Sequence, residues 1–515
     1  MLQHQRPPAA DDPRISRLLR RVLLDRVKDA RRTHALARTD AQTDPLGWRH
    51  THSLIRPYDR GMPRLAVPGD ELELTIETLA YGARGIARVD GFVVFVAGAL
   101  PGDRVRARVD RVKRRHAEAT TLDVLEPGPD RVVAPCAHFP ACGGCRLQNL
   151  AYPIQAELKE RQVRDALVRI AGIAEAPVAA IVPADEPYAY RNKLEYAFAN
   201  TPDGVAAGLH RAGRFDDILA ITHCWLTGEL GNAVRDAVQQ WARDNRLDAY
   251  EQRSGRGSLR HLVVREARTT GSALVVIVTA DADLADRDGF VRALRRFPEV
   301  RSIHWAVNDG VAEVTNLPTT LLAGEATIDE RVLGLVFAVG PTTFMQTNTA
   351  MVERLYSLAL EDCGLRGDEV VFDLYSGVGT ISLALAQRAR SVFGMELSTA
   401  SVESARQNAV RNGLTNASFI AGDVAKQLPL LVEAAGRAPD VVVVDPPRAG
   451  LAPKALRRIA ELSAPRLVYV SCNPTTLAGD ARLLVTHGYR LDAARPLDLF
   501  PQTPHVETVA RFSRS

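Results

Sequence analysis

The sequence predicts an α/β protein: a doubly wound parallel sheet at the C-terminal end, a central α+β domain before it, and a small N-terminal β-barrel. Three observations predict this. From about Gly340, short apolar runs alternate with helical segments; between Val67 and Glu126 several short strands crowd together; and the stretch between them mixes strands and helices without a repeat. A chain of 515 residues has the length for several domains with sizeable cores.

Residues 1–65 read as a basic, disordered tail. Within it Ile15, Leu18, Leu19, Val22, Leu23 and Val27 recur at helical spacing, and Met62 is a candidate translation start just before the first folded segment. The first 60 residues carry 13 Lys+Arg against 7 Asp+Glu, so a chain of net charge +4 is slightly acidic over the remainder. Any affinity for nucleic acid must therefore come from local features rather than a global field. No run of 18 apolar residues is present, which excludes a membrane-spanning helix on length. The apolar stretch after Arg20-Arg21 is broken by Asp25, Arg26 and Lys28, unlike a signal peptide. With only six cysteines, this leads us to expect a cytoplasmic, monomeric protein in a reducing compartment, its thiols used for metal or catalysis.

Residues 66–126 are the expected barrel of the oligonucleotide-binding kind. Glu71–Leu79, Phe92–Val96 and Arg104–Val112 read as strands, parted by turns at Tyr81-Gly82, Asp90-Gly91 and Pro101-Gly102-Asp103. Arg104, Arg106 and Arg108 share one strand face, with Arg111, Lys113, Arg114 and Arg115 close behind. This is a stripe suited to RNA phosphates.

The central domain, 127–340, opens on Cys136-x5-Cys142-x2-Cys145, and Cys224 follows. Three clustered thiols and one remote thiol form a four-thiolate set, open to zinc or to an iron–sulfur cluster, and the 3+1 spacing leans toward the cluster. His138 and His223 are substitute ligands, whereas Cys363, beside the helical segment Glu353–Leu360, reads as a core residue. Leu158–Ile170 is expected to be helical, and Leu262–Arg268 and Leu274–Ala280 to be strands.

Over 341–515 the expected strands are Val370–Leu374, Val392–Leu397, Ser418–Ala421, Val441–Val444 and Leu467–Val470, with Ile381–Arg388, Ser401–Asn412 and Pro453–Leu462 among the helices. Asp373-Leu374-Tyr375-Ser376-Gly377-Val378-Gly379-Thr380 is a strand entering a glycine turn. Glu396, 19 residues beyond Gly377, is placed to hold the ribose hydroxyls of an adenosine cofactor. Without the third glycine of a dinucleotide fingerprint, S-adenosylmethionine is favoured over a pyrophosphate dinucleotide. Asp445-Pro446-Pro447-Arg448 ends another strand; an arginine after Pro-Pro, where amine-methylating enzymes carry an aromatic, argues against exocyclic-amine chemistry. Cys472, in Ser471-Cys472-Asn473-Pro474, stands at a strand's carboxyl end like a nucleophile, with a following helix N-terminus expected to depress its thiol pKa. His505-Val506-Glu507 adds an acid near the end of the chain.

Together, Phe344-x-Gln346-x-Asn348, the Asp373–Gly379 turn, Asp445–Arg448, Ser471–Pro474 and His505–Glu507 resemble the S-adenosylmethionine-dependent RNA uracil-5-methyltransferases, over about residues 66–515. The resemblance implies a Rossmann-like class I methyltransferase domain at the C-terminus and a TRAM barrel at the N-terminus. It implies that Gln346, Tyr375, Glu396 and Asp445 contact the cofactor, Gln346 at the methionine end and Glu396 at the ribose. Thr380 departs from the asparagine of many relatives, and Asp423 is a candidate for the adenine. Cys136, Cys142, Cys145 and Cys224 are similar to the [4Fe–4S] site of the ribosomal-RNA branch, implying ribosomal RNA ahead of tRNA as partner and a cluster with a structural role. The implied mechanism has Cys472 add to carbon 6 of uracil, carbon 5 take the methyl group, and Glu507 remove the carbon-5 proton so that Cys472 is eliminated. A cytosine- or amine-directed RNA methyltransferase and a non-catalytic iron–sulfur RNA-binding factor are the alternatives; Arg448 and the Cys472/Glu507 pair count against them.

Overall fold

The structure, a computed structural model, describes residues 67–514; the 1–65 tail with its helical pattern, and the Met62 start, lie outside the described residues. The C-terminal sheet contains, in spatial order, Ala417–Ala421, Ser391–Glu396, Val370–Leu374, Val441–Val444, Arg466–Ser471, Glu507–Arg514 and Tyr489–Leu497. The first five are parallel; Glu507–Arg514 pairs antiparallel with both of its neighbours and so runs against the other six. The four consecutive valines 441–444 show why a run without alternation forms the sheet centre. Val442 and Val444 enter the core on one face, and Val441 and Val443 enter the core on the other. Helices Thr349–Cys363, Thr380–Ala386 and Thr399–Arg411 cover one face; Val424–Ala435, Pro453–Glu461 and Pro474–Thr486 cover the other. Strand order reverses between Val370–Leu374 and Val441–Val444, which opens a crevice at their carboxyl ends.

The packing does not follow a boundary at residue 341. The helix read as Leu158–Ile170 is longer, Tyr152–Arg169, started by Pro153, and its Val163 and Leu167 lie in the C-terminal core. Beyond it the chain runs along the sheet edge, where Val178 bridges Ala494 and Val182 bridges Leu497. The central sheet, covered on one face by helices Glu229–Asp244 and Arg287–Leu294, includes Leu259–Ala267 and Ser272–Thr279, close to the expected strands.

In the barrel region six strands between Glu71 and Glu126 enclose a core that includes Leu74, Ile76, Val94, Val96, Val105 and Val109. Arg104, Arg106 and Arg108 do share the outer face of Arg104–Val112, but they do not form an open cationic stripe. That strand is interior, flanked by Glu71–Thr75 and His116–Glu126, whose acids reach across to it. Arg104 pairs with Glu73 at 2.8 Å and Glu126 at 2.5 Å, Arg106 with Glu71 and Asp123, and Arg108 lies 3.7 Å from Asp110. Among the described residues Arg111, Arg114 and Arg115, at the strand end and the turn after it, are the members of the set without an acidic partner, since Lys113 pairs with Glu118. No described helix is long and apolar enough to cross a membrane.

Candidate active site

The crevice is built by the turn after Val370–Leu374. Tyr375 adopts φ 68°, and its N–H and that of Ser376 donate to the Met395 carbonyl at 2.9 and 3.1 Å. At Gly379, φ is 85° and a Cβ would stand 3.1 Å from Ala405 and Phe419, so glycine is required by both conformation and space. Glu396, ending the neighbouring strand, accepts from Gly377 N–H at 3.2 Å and from Ser398 N–H at 2.9 Å. Turn and acid are therefore one oriented unit, with lone pairs to spare for a diol.

Beneath the turn lies Asp373, 1% exposed. One of its oxygens accepts from the Ser382 hydroxyl; Oδ1 has no partner, and neither has the buried Ser376 Oγ. Burial, with a smaller contribution from Glu396, pushes the Asp373 carboxyl up to about 7. Asp445, whose N–H donates to Leu374 O at 3.3 Å, is likewise pushed up to about 7, by burial and then by Asp373. Unpaired buried polar atoms and two reluctantly ionised acids at a switch point are what a polar, cationic ligand would satisfy.

The other expected contacts are placed unequally. The Tyr375 phenol is pushed up to about 12 by burial, then by Asp423 and Asp480. Asp423 is first a helix cap: it accepts from Ala425 N–H at 2.8 Å and pairs with Lys426. Thr380 is bonded to the Tyr356 hydroxyl at 3.2 Å. Gln346 stands just before Asn348, the cap of helix Thr349–Cys363. Its carbonyl accepts from Asn192 at 3.0 Å, and its side chain makes no bond among the described residues. The structure thus brings Tyr375, Glu396 and Asp445 to one crevice and leaves Gln346 without a bond to them.

Strand pairing sets the second half of the site. Ser471 pairs with Thr508, so the next positions along the ladder are Cys472 and Glu507. Asn473 caps helix Pro474–Thr486, and Asn473 Nδ2 and Thr476 Oγ1 donate to the Arg448 carbonyl at 3.2 and 3.3 Å, tying the cysteine turn to the Asp445–Arg448 turn. The Cys472 thiol is pushed up to about 11, by burial and then by Glu507, against a lowering by Arg448. The expected depression by a helix N-terminus is overturned: Cys472 precedes the cap, and burial dominates. Glu507 is 2% exposed, and burial, then Asp445, hold its carboxyl well above the usual range, with Arg448 opposing. Burial, helped by Arg448, Lys159 and Arg191, holds His505 down to about 4.

Residues that hold this pocket were not apparent from the sequence. Gln155 and Gln502 exchange two hydrogen bonds, at 3.0 and 3.1 Å. Lys159 forms a buried ion pair with Asp498 at 2.6 Å and donates to Phe500 O at 3.1 Å. Burial lowers the lysine's pKa and raises the aspartate's, each partly offset by the other. A signal was available: Gln155, Lys159, Val163 and Leu167 recur every four residues, so two polar side chains share the buried stripe of a helix.

Apart from this crevice, Cys136, Cys142, Cys145 and Cys224 all line one cavity in the central domain. Cys145 Sγ accepts from Gln148 at 3.1 Å and Cys142 Sγ from Gly144 N–H at 3.4 Å. His138 is engaged elsewhere, its Nε2 3.0 Å from the Thr222 N–H and hydroxyl, and His223 packs edge-on against Trp225. Among the described residues no three His, Cys, Asp or Glu side chains come together as ligands of a single metal ion. Cys363 is fully buried in the core, where it was expected.

Residues 66–122 match the family described as TRAM domain, and residues 365–488 one described as methyltransferase domain. An uncharacterized RNA methyltransferase of Halalkalibacterium halodurans is 38% identical, covering 86% of this chain and 96% of its own length. Another, from Porphyromonas gingivalis, is 36% identical over 86% of this chain and all of its own. Among solved structures, the tRNA (uracil-54, C5)-methyltransferase of Pyrococcus abyssi, in complex with S-adenosyl-L-homocysteine, matches with a TM-score of 0.69. It is 29% identical and covers 86% of this chain and 100% of that one.

Proposed function

The chain belongs to the RNA methyltransferase family of these relatives, combining a TRAM domain with an S-adenosylmethionine-dependent methyltransferase domain, and from that premise we propose that it methylates carbon 5 of a specific uridine. The observation that carries the reading is the placement of Cys472 next to Glu507 at the carboxyl ends of the sheet, against Asp445 and Arg448. A thiol nucleophile paired with a carboxylate base suits a pyrimidine carbon, which is too weakly nucleophilic to be methylated without covalent activation.

Bound S-adenosylmethionine supplies the electrophilic methyl group. Glu396 would take its ribose, Gln346 its methionine end, and Tyr375 and Asp445 complete the cleft; the orphaned Asp373 and Ser376 atoms support a polar occupant. Cys472 adds as thiolate to carbon 6 of uracil, forming an S–C bond and turning carbon 5 into an enolate-like nucleophile. Arg448 is the cation that favours the thiolate. After carbon 5 is methylated, Glu507 takes its proton, and the electron pair released expels Cys472 from carbon 6. A carboxylate raised toward neutrality is the stronger base for that step.

From the four thiols that line one cavity, and from their 3+1 spacing along the chain, we infer a [4Fe–4S] cluster rather than a mononuclear zinc site. Held by Cys136, Cys142, Cys145 and Cys224, the cluster would tie the cysteine loop to the segment around Cys224; the reaction itself involves no net electron transfer. The cysteine set favours ribosomal RNA as substrate. The Pyrococcus neighbour, a tRNA enzyme, favours tRNA as the second reading.

RNA carrying 5-fluorouridine tests the chemistry, because fluorine cannot be removed as a proton and the adduct persists. Wild-type protein is expected to give a covalent complex on denaturing gels and Cys472→Ala none. With ordinary RNA, Glu507→Gln is expected to accumulate trapped complex. An adduct that survives in Cys472→Ala would defeat the assignment.

A further inference from the structure

Among the described residues of the barrel, Tyr81 comes within electrostatic reach of the Cys472–Glu507 pocket. Strands Thr78–Ala80 and Arg84–Val89 are joined by a tight turn with Tyr81 at its tip, closed by Ala83 N–H to Ala80 O at 3.1 Å and by Gly82 at φ 92°. The turn is not free to swing. Leu79, two residues before the tip, is buried with Leu100, Leu147, Leu150 and Leu158, so the turn is docked on helix Tyr152–Arg169. The same helix holds, through Gln155 and Lys159, the 498–502 loop that leads into Glu507. One rigid element therefore fixes the barrel turn and the catalytic carboxylate relative to each other.

Tyr81 is 36% exposed at that position. The groups whose charges act on its hydroxyl are Cys472, Arg448 and Glu507, all from the C-terminal sheet and none from the barrel. An aromatic on a turn docked to the helix that also holds the 498–502 loop, and within electrostatic reach of Cys472 and Glu507, is placed to meet a base that leaves its stack to react.

We propose that Tyr81 is the base-positioning residue of this site, its ring stacking on the extruded target base so that engagement of RNA by the barrel and presentation of the base to Cys472 are one event. The inference rests on the proposed uracil-5 chemistry for the identity of the base. The stacking itself requires only a π face, which is available from any base.

The test is methyl transfer from labelled S-adenosylmethionine to total RNA from cells lacking this protein, with wild type, Tyr81→Phe, Tyr81→Leu and Tyr81→Ala. Tyr81→Phe is expected to keep at least half the wild-type rate. Tyr81→Leu and Tyr81→Ala are expected to lose tenfold or more in kcat at saturating RNA, with S-adenosylmethionine affinity and melting temperature unchanged. Wild-type kcat in Tyr81→Ala, equal losses in Tyr81→Phe and Tyr81→Ala, or losses accompanied by weakened cofactor binding would each overturn the proposal. Failure of the uracil-5 reading shows separately, as wild-type methyl transfer without a 5-fluorouridine adduct.

Discussion

Arg448 opposes the burial that keeps Cys472, the proposed nucleophile, from ionising. The Cys472 thiol lies in a pocket that burial and Glu507 make hostile to negative charge, and Arg448 is the group that lowers its pKa from across the tied turns. Arg448→Ala is therefore expected to move the pH profile of Cys472 alkylation by iodoacetamide upward. Because Arg448 is solvent-exposed, the move should stay within about one pH unit. An unchanged or lowered midpoint would show that the arginine does not act on the thiol. The ionisation of Cys472 was misjudged from sequence for a plain physical reason. The helix N-terminus is local and visible in Asn473-Pro474, whereas burial in the fold, and the charges of Glu507 and Asp445, come from parts of the chain distant in sequence.

At the level of elements, the parallel strands and their helices could be read directly, because Val441–Val444 and Val370–Leu374 carry apolar runs and the intervening helices begin at Ser398, Asn473 and similar caps. The two closing strands, which pair antiparallel with each other, could not. Tyr489–Leu497 is interrupted by Arg490, Asp492 and Arg495; the first two pair with each other, but Arg495 finds Glu361 and Asp362 of helix Thr349–Cys363 only in the folded protein. Helix Tyr152–Arg169 was visible as a helix, but not as part of the C-terminal core, because its polar anchors Gln155 and Lys159 look ordinary until Gln502 and Asp498 meet them. That anchoring is testable. Lys159→Ala leaves Asp498 buried without its counter-charge and should cost about 3–5 kcal/mol, read as a large fall in unfolding midpoint. Lys159→Met combined with Asp498→Leu should recover most of it, and a single variant as stable as wild type would contradict the role given to the pair.

Across the whole molecule, the thiol-lined cavity sits in the central domain, whereas the reacting groups sit at the end of the C-terminal sheet. If the cluster is structural, protein with its cluster intact should turn over equally under oxidising and reducing conditions. Redox-dependent turnover would assign the cluster a regulatory role instead. The ion-paired barrel face bears on the same scale. With Arg104, Arg106 and Arg108 already neutralised by acids of the neighbouring strands or their own, the grip on RNA falls to the few remaining cations and to contacts around the pocket. The helix Tyr152–Arg169 also has a consequence for synthesis. Lys159 emerges from the ribosome 339 residues ahead of Asp498, and Glu507 follows later still. Until then Lys159 lacks its counter-charge and Cys472, the proposed nucleophile, lacks its proposed base. On the proposed mechanism, competence arrives only once strand Glu507–Arg514 has been made and paired.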